Sequence, residues 1–216
     1  MTALLILLSC FSEAPPVKEE TIAKEETVVI EEHPRVIILG DSLTAGYGLP
    51  VDQAYPNLLQ ENLLKADLPT EILNAGISGD TTAGGARRLE WLLKQKPDLL
   101  ILELGANDGL RGAPIKDIEQ NLRSIIEETQ KQGFEVLLVG MRIPPNYGED
   151  YALEFADIYP KLAQEYSLLF VPFLLKDVAG DPTLNQADGI HPTSEGHKIL
   201  AQNVFPTLIE WRKKIK

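Results

Sequence analysis

The chain of 216 residues is long enough for one well-packed domain and does not require two. Its 44% hydrophobic and 24% charged residues are typical of a soluble globular protein. The formal net charge of -12 argues against nucleic acid as a partner, because phosphate groups are bound by basic surfaces.

The first ten residues, MTALLILLSC, form an apolar run that ends at the single cysteine, Cys10. The run is too short to cross a bilayer, which takes about 20 residues. It resembles the end of a bacterial lipoprotein signal, in which a small residue precedes a cysteine that is lipidated. We therefore predict a signal over 1–10, a lipid anchor at Cys10 and a periplasmic location. Because no Lys or Arg precedes the run, a cytoplasmic enzyme with an apolar N-terminus is the alternative.

Residues 11–34 are rich in Glu, Lys and Pro, and they contain the near-repeat KEET at 18–21 and 24–27. Seven Glu and two Lys give this segment a net charge of -5, which leaves -7 for the rest of the chain. Such a composition cannot bury enough apolar surface to fold alone. We predict an acidic, disordered tether over 11–34 that precedes a folded domain over 35–216.

Short apolar segments alternate with amphipathic ones from residue 35 onward. The apolar segments predict buried strands over 35–39, 71–76, 98–105, 135–141 and 168–173. Apolar residues at helical spacing predict helices over 54–66, 82–95, 114–133, 149–166 and 193–214. Pro160 is a candidate break in the fourth helix.

This alternation of strands and helices predicts an α/β fold. Strands separated by helices pair in parallel through right-handed crossovers, which place helices on both faces of the sheet. Strands that are apolar throughout fit a sheet covered on both sides. The prediction is therefore a three-layer α/β/α domain with a five-stranded parallel sheet, whose functional site lies outside the carboxyl ends of the strands.

Four loops of small residues carry polar side chains at predicted strand ends or helix entrances. They are GDSLTAGYG after the first strand, NAGISGDT after the second, GANDG after the third and DGIHP before the last helix. Taken alone, each polar residue has an ordinary structural interpretation, such as Ser42 capping a helix. Their shared place at one edge of the sheet favours a functional site.

The DGIHP loop carries the candidate general base. Asp188 and His191 are three residues apart in a turn that Pro192 leads into a helix. A carboxylate at that spacing can bond the Nδ1–H of the imidazole and leave Nε2 free to take a proton from a serine hydroxyl. Ser42 is the candidate serine, whereas His197 lies inside the last predicted helix and is assigned a packing or surface role.

An acyl-transfer enzyme also needs donors aimed at the developing oxyanion. Three loops offer one donor each: the backbone N–H of Ser42, the backbone N–H of Gly79 and the side-chain amide of Asn107. A glycine such as Gly79 lets a backbone N–H approach a ligand closely. The alternative is that Gly79 serves a turn and Asn107 a helix cap.

The blocks GDSLTAGYG, NAGISGDTT, LELGANDGLRG and DGIHP resemble, in order, the four blocks of the SGNH (GDSL) hydrolase superfamily. The resemblance covers about residues 35–212. ISGDT, ELGANDGLRG and PPNYG make the chain most similar to the multifunctional bacterial acyl-CoA thioesterase, lysophospholipase and arylesterase subgroup. This resemblance implies a flavodoxin-like SGNH fold and a serine esterase that hydrolyses acyl esters and thioesters through an acyl-enzyme.

The resemblance also implies a role for each matching residue. It implies a catalytic triad of the nucleophile Ser42, the base His191 and its orienting partner Asp188. It implies an oxyanion hole formed by Ser42, Gly79 and Asn107. It further implies that Asp41, Asn74 and Asp80 fix the loops behind these groups.

The sequence says less about the substrate. Leu110, Ile143 and Pro144 follow the third and fourth strands and could line an acyl channel. Arg111 and Arg142 could meet a phosphate or carboxylate of the substrate, although ordinary surface loops explain all five residues equally well. We predict a small-molecule acyl ester or thioester as the substrate, with a small or medium acyl group. We predict no cofactor, no metal, no nucleic acid, no membrane contact beyond the lipid anchor, and a monomer.

Two other classes of function remain open at this stage. A metal-dependent phosphoesterase could use Asp41, Asn107, Asp188 and His191 as ligands, although such sites usually contain more histidines. An inactive binding module on the same fold would be expected to lack the serine or the histidine, and this chain has both.

Overall fold

A parallel sheet lies at the centre of the protein, a computed structural model that describes residues 33–215. Its strands are β1 (Arg35–Gly40), β2 (Glu71–Gly76), β3 (Leu99–Glu103), β4 (Glu135–Val139) and β5 (Leu169–Val171). They pair in the order β2-β1-β3-β4-β5, and every pair is parallel. The predicted three-layer fold with a five-stranded parallel sheet is therefore confirmed.

The central strands are buried on both faces. All five residues of β3 are buried, as are the last five of β1, so the strands read as continuous apolar runs rather than alternating ones. Helices on the two faces bury their own apolar sides against them. On the long helix Ile115–Lys131, for example, Ile118, Leu122 and Ile125 recur at helical spacing and are fully buried.

Seven α-helices lie within residues 33–215. They are α1 (Ser42–Ala45), α2 (Tyr55–Lys65), α3 (Thr82–Leu93), α4 (Ala106–Leu110), α5 (Ile115–Lys131), α6 (Glu149–Glu165) and α7 (Ser194–Lys214). Hydroxyl caps fix the starts of two of them, because Thr81 accepts from Gly84 N–H before α3 and Thr193 accepts from Gly196 N–H before α7. Two short 3-10 turns lie at Val51–Gln53 and Pro145–Tyr147.

The candidate break at Pro160 does not occur, since α6 continues to Glu165. A proline inside a helix removes one backbone hydrogen bond and costs about 3 kcal/mol. Phe155, Tyr159 and Leu162, however, are fully buried on either side of it. Their packing holds both halves of α6 in one helix, so tertiary contacts outweigh the local cost.

The strand order places the carboxyl ends of β1 and β3 at a topological switch point. From β1 the chain crosses to β2 on one side, and β3, β4 and β5 then follow on the other side. Loops that leave β1 and β3 therefore diverge and open a crevice at this edge of the sheet, which is where ligands bind in open α/β sheets.

The N-terminal predictions fall largely outside the described residues. The signal over 1–10 with Cys10 lies outside them entirely, and the tether over 11–34 enters them only at His33 and Pro34. The compact unit that contains the sheet begins at His33, close to the expected domain start at residue 35. Between residues 33 and 215, no helix is both long and apolar enough to cross a bilayer.

Candidate active site

Ser42 is the first residue of α1, and only Asp41 separates it from the end of β1. Asp41 caps this short helix through its side chain, which accepts the N–H of Leu43 at 2.9 Å. A Cβ at Gly40 would clash with Thr44 Oγ1 and with Glu103. The glycine therefore lets α1 fold tightly over the strand end, which holds Ser42 at the edge of the sheet.

The predicted triad residues form a continuous chain of hydrogen bonds. Ser42 Oγ lies 3.0 Å from His191 Nε2, and His191 Nδ1 lies 2.7 Å from Asp188 Oδ2. Ser42 and His191 are 149 positions apart in sequence, so this contact depends on the whole fold. The side chain of His191 is 20% exposed, which leaves the imidazole accessible from the crevice.

Asp188 is held as a carboxylate by its own loop. Its Oδ1 accepts the backbone N–H of Ile190 at 2.9 Å and that of His191 at 3.0 Å. These bonds, first the His191 N–H and then the imidazole, lower the pKa of Asp188 to about 2. The carboxylate is therefore charged at neutral pH and keeps a proton on Nδ1, which leaves Nε2 as the proton acceptor toward Ser42.

The predicted oxyanion donors surround the same strand ends. Ser42 opens α1, so its N–H has no intrahelical acceptor. Asn107 in α4 donates one Nδ2–H to Asp41 Oδ2 at 3.0 Å, which leaves the second N–H of the amide for a ligand. Gly79 sits at φ +79°, in the left-handed region that favours glycine, and within residues 33–215 no protein group accepts its N–H.

Asn74 and Asp80 form hydrogen bonds that join the loops around these donors. Asn74 donates to the carbonyl of Thr44 at 2.8 Å and so connects the end of β2 to α1. Asp80 binds the Nε of Arg88 at 2.8 Å, and that guanidinium also reaches the carbonyls of Ala75 and Gly40 at 2.6 and 3.0 Å. Both residues therefore tie the strand ends together.

A buried acid behind Ser42 is a feature that the sequence analysis missed. Glu103, the last residue of β3, is fully buried, and its Oε2 accepts from Thr44 Oγ1 at 2.6 Å and from Asp41 N–H at 3.3 Å. Tyr55 Oη lies 2.8 Å from Thr44 Oγ1 and extends the cluster. Burial, and secondly the charge of Asp41, raise the pKa of Glu103 well above its usual range, which favours its protonated form.

Asp41 is itself buried between this acid and the oxyanion donors. Burial raises its pKa to about 6, although the hydrogen bonds from Leu43 and Asn107 act in the opposite direction. Asp41 is therefore ionised at neutral pH and attracts the amide of Asn107. A single Glu within an otherwise apolar strand, LLILELG, was the one sequence signal for this cluster.

An apolar cavity of about 520 Å³ opens beside Ser42, Asn107 and His191. Four of the five residues proposed to meet the substrate line it: Leu110, Arg142, Ile143 and Pro144. Arg111 is not among the lining residues; its guanidinium donates to the carbonyl of Gly79 at 3.2 Å. The sequence did not indicate the other lining residues, which include Met141, Phe173, Leu175 and Ile190.

Two of these additional cavity residues lie where the rest of the site lies, just past the carboxyl ends of the strands. Met141 and Phe173 lie just past the carboxyl ends of β4 and β5, at the same edge as Ser42. Arg142 packs with its guanidinium carbon 5.1 Å from the centre of the Phe173 ring. Applying the strand-end rule to β5 would have indicated Phe173.

The four side chains considered as metal ligands pair with each other instead. His191 bonds Asp188, and Asn107 turns its amide N–H, a donor rather than a ligand atom, toward Asp41. Across the described residues 33–215, no group of three or more His, Cys, Asp or Glu side chains is arranged to hold a metal ion. The arrangement is suited to proton transfer from Ser42 through His191.

Known hydrolases resemble this chain in sequence and in fold. Residues 38–199 match the GDSL-like Lipase/Acylhydrolase family. An arylesterase of Vibrio mimicus is 40% identical over 207 residues, which cover 95% of this chain and 96% of the relative. Thioesterase 1/protease 1/lysophospholipase L1 of Escherichia coli (strain K12) is 43% identical over 167 residues, 77% of this chain and 79% of the relative. The crystal structure of AlinE4, an SGNH-hydrolase family esterase, is 43% identical, covers 83% of this chain and 96% of its own, and has a TM-score of 0.71.

Proposed function

Because the chain belongs to the GDSL-like lipase/acylhydrolase family and is an ester or thioester hydrolase, we propose that Ser42, His191 and Asp188 are its catalytic triad. The observation that carries the proposal is the continuous hydrogen-bond chain from Ser42 Oγ to His191 at 3.0 Å and on to Asp188 at 2.7 Å. A serine hydroxyl is a weak nucleophile until a base takes its proton, and this chain supplies that base.

In the first half of the reaction, Ser42 Oγ attacks the acyl carbon while its proton moves to His191 Nε2. The resulting oxyanion is held by the N–H groups of Ser42, Gly79 and Asn107, and losing one such donor raises the barrier by roughly 3 to 4 kcal/mol. His191 then gives the proton to the leaving oxygen or sulfur, the bond from the acyl carbon breaks, and the acyl group remains on Ser42 as an ester.

In the second half, water attacks the acyl-enzyme. His191 Nε2 takes a proton from the water as the new bond to the acyl carbon forms, and the same donors hold the second oxyanion. Collapse returns the proton to Ser42 Oγ and releases the carboxylic acid. Asp188 stays ionised throughout, because its loop N–H groups and the imidazole hold its pKa at about 2.

The cavity beside Ser42 supports an apolar acyl group as the part of the substrate that the enzyme holds. Leu110, Ile143 and Phe173 offer hydrocarbon surface within its 520 Å³, a volume that suits a short or medium acyl chain. The relatives are named arylesterase and thioesterase, and these names support a phenol or a thiol as the group that leaves from the acyl carbon. We propose acyl esters of small alcohols or phenols and acyl thioesters as the substrate class.

The test is steady-state hydrolysis of p-nitrophenyl esters with 2 to 12 acyl carbons, and of the matching acyl-CoA thioesters, by the full chain. Ser42→Ala should lower kcat by roughly 10³-fold or more on every ester. Ser124→Ala is the matched control, because that serine lies on α5 and bonds only a carbonyl of its own helix. Full activity of Ser42→Ala, or loss of activity in the wild type on adding EDTA, would contradict the proposal.

A further inference from the structure

Tyr47, which follows α1, lies against the imidazole of His191. The two ring centres are 4.4 Å apart, and the ring planes are inclined by 36°. The tyrosine is 50% exposed, so burial in a core does not explain its position. It is also not among the residues that line the cavity beside Ser42, so it does not serve the acyl group.

Hydrogen bonds from both catalytic loops hold Tyr47 in this place. Its N–H donates to the carbonyl of Ser42 at 3.0 Å. Its carbonyl accepts from Gln186 Nε2 at 2.8 Å, and the same amide donates to the carbonyl of Pro192 at 3.0 Å. The backbone N–H of Gln186 donates to the carbonyl of His191 at 2.7 Å. Tyr47 and Gln186 therefore connect the loop of the nucleophile to the loop of the base.

The charge on His191 changes during the reaction proposed above, because the imidazole takes the proton of Ser42. An aromatic ring within about 6 Å stabilises a cation that it faces. The other groups that act on the imidazole are Asp188 at Nδ1 and Ser42 at Nε2, with buried Asp41 and His197 at longer range. Among residues 33–215, Tyr47 is the one aromatic side chain whose ring packs against the imidazole.

We propose that Tyr47 is a positioning residue of the reaction, whose ring fixes the orientation of the His191 imidazole and favours its protonated form in the transition state. This inference rests on the proposed function, since it needs His191 to be the base. The hydroxyl of Tyr47 plays no part in it, and the ring is sufficient.

The experiment compares pH profiles of kcat/KM on p-nitrophenyl butyrate for the full-length wild type, Tyr47→Leu and Tyr47→Phe. Loss of the ring in Tyr47→Leu should lower kcat/KM about two- to fivefold and move the acid limb about 0.4 to 0.7 pH units lower. Tyr47→Phe keeps the ring and should match the wild type. Trp91→Leu, which removes an aromatic ring that is 62% exposed on α3, is the matched control.

The acid limb separates this role from a merely structural one. A fall in kcat/KM with an unmoved acid limb, or a Tyr47→Phe variant as impaired as Tyr47→Leu, would overturn the inference. Asp41 is present in every variant and contributes equally to each pH profile. A difference between the profiles therefore reports the effect of the side chain at position 47. If Tyr47→Leu is too unstable to assay, Tyr47→Trp is compared with the wild type instead. The indole ring has a stronger quadrupole than the phenol ring and should move the acid limb to higher pH. An unmoved limb in Tyr47→Trp would overturn the inference. An inactive wild type would refute the proposed function itself before any variant is compared.

Discussion

Two carboxyl groups lie directly behind Ser42, and they differ in their hydrogen-bond partners. Asp41 accepts from Leu43 N–H and from Asn107, and both bonds favour its charged form. Glu103 accepts from Thr44 Oγ1 and from the N–H of Asp41 through Oε2, whereas its Oε1 has no partner within residues 33–215. Two negative charges this close and this deeply buried are unfavourable, so Asp41 carries the charge and Glu103 keeps its proton.

The protonated state of Glu103 predicts a change of stability with pH. Above the ordinary glutamate pKa of 4.5, the unfolded chain ionises Glu103, whereas the raised pKa in the folded protein disfavours that ionisation. Ionisation therefore favours unfolding, and this loss of stability grows by about 1.4 kcal/mol per pH unit until the raised folded pKa is reached. Urea unfolding between pH 5 and 7 should show Glu103→Gln gaining stability relative to the wild type as the pH rises. A difference between the two proteins that stays constant with pH would mean that Glu103 is ionised when folded.

The charge of Asp188 predicts a specific defect in Asp188→Asn. An amide can accept the Nδ1–H only in one orientation and does not stabilise an imidazolium, so Nε2 loses its role as base. We expect kcat on p-nitrophenyl butyrate to fall roughly 10²- to 10⁴-fold while KM changes little. Asp181→Asn is the control, because that carboxylate bonds Thr183 away from the triad. A large change in KM for Asp188→Asn would point to a role in binding instead.

At the level of elements, the seating of α1 on the ends of β1 and β2 determines where Ser42 lies. Both strands end on glycine, and a Cβ at Gly76 would clash with the backbone of Thr44 and Ala45 in α1. Displacing that helix displaces Ser42 and its N–H together. The two glycines are therefore required by close approach rather than by an unusual backbone angle.

This packing predicts that Gly76→Ala damages both stability and catalysis. We expect a loss of about 1 to 3 kcal/mol in the free energy of unfolding, since the backbone of α1 must move, and a fall in kcat on aryl esters. Gly112→Ala is the comparison, because a Cβ there meets open space and only its φ of +66° opposes the change. Urea unfolding that finds Gly76→Ala no worse than Gly112→Ala would refute this account of α1.

The existence of the strands and long helices could be predicted from the sequence, but their ends could not. The sequence predicts the third strand over 98–105, whereas the observed strand is Leu99–Glu103. Its end differs because Leu104 and Gly105 leave the sheet for the turn into α4. Such turns depend on tertiary contacts, for example Tyr159 Oη donating to the carbonyl of Leu104 at 3.0 Å. Hydrophobic periodicity in the sequence does not indicate where such turns begin.

The site was predictable only where spacing or a loop position carried the information. Asp188 and His191 are close in sequence, and Ser42 follows a strand, so local patterns indicate them. For Glu103 the sequence offers only one acid in an apolar strand, because its cluster is assembled from three elements. Tyr47 has no such pattern, because it meets His191 only after folding. Contacts between distant segments require the fold.

For the whole molecule, the predicted resemblance to SGNH hydrolases, the fold class and the class of enzyme are confirmed by the family match and the relatives. The formal net charge of -12 also influences how charged substrates approach the protein. A negative surface field repels anionic substrates and slows their association, and salt screens that repulsion.

The charge predicts that salt affects the hydrolysis of a charged substrate but not that of an uncharged one. For an acyl-CoA thioester, which carries several negative charges, kcat/KM should rise at least roughly twofold between 10 and 200 mM NaCl. For the uncharged p-nitrophenyl ester of the same acyl chain it should stay constant, because no long-range force acts on that substrate. Parallel initial-rate measurements check this, and a fall in the acyl-CoA value with salt would reveal local cationic recognition instead.

The most direct test of Ser42 as the activated nucleophile is to find which residue reacts with a fluorophosphonate. The full chain is treated at neutral pH, fluoride leaves as the phosphonyl group joins a nucleophilic oxygen, and peptide mass spectrometry locates the adduct. The account predicts one adduct on Ser42 in the wild type and its loss in His191→Ala, where no base activates the hydroxyl. A folded wild type without an adduct on Ser42, or an adduct that persists at the same rate in His191→Ala, would contradict it.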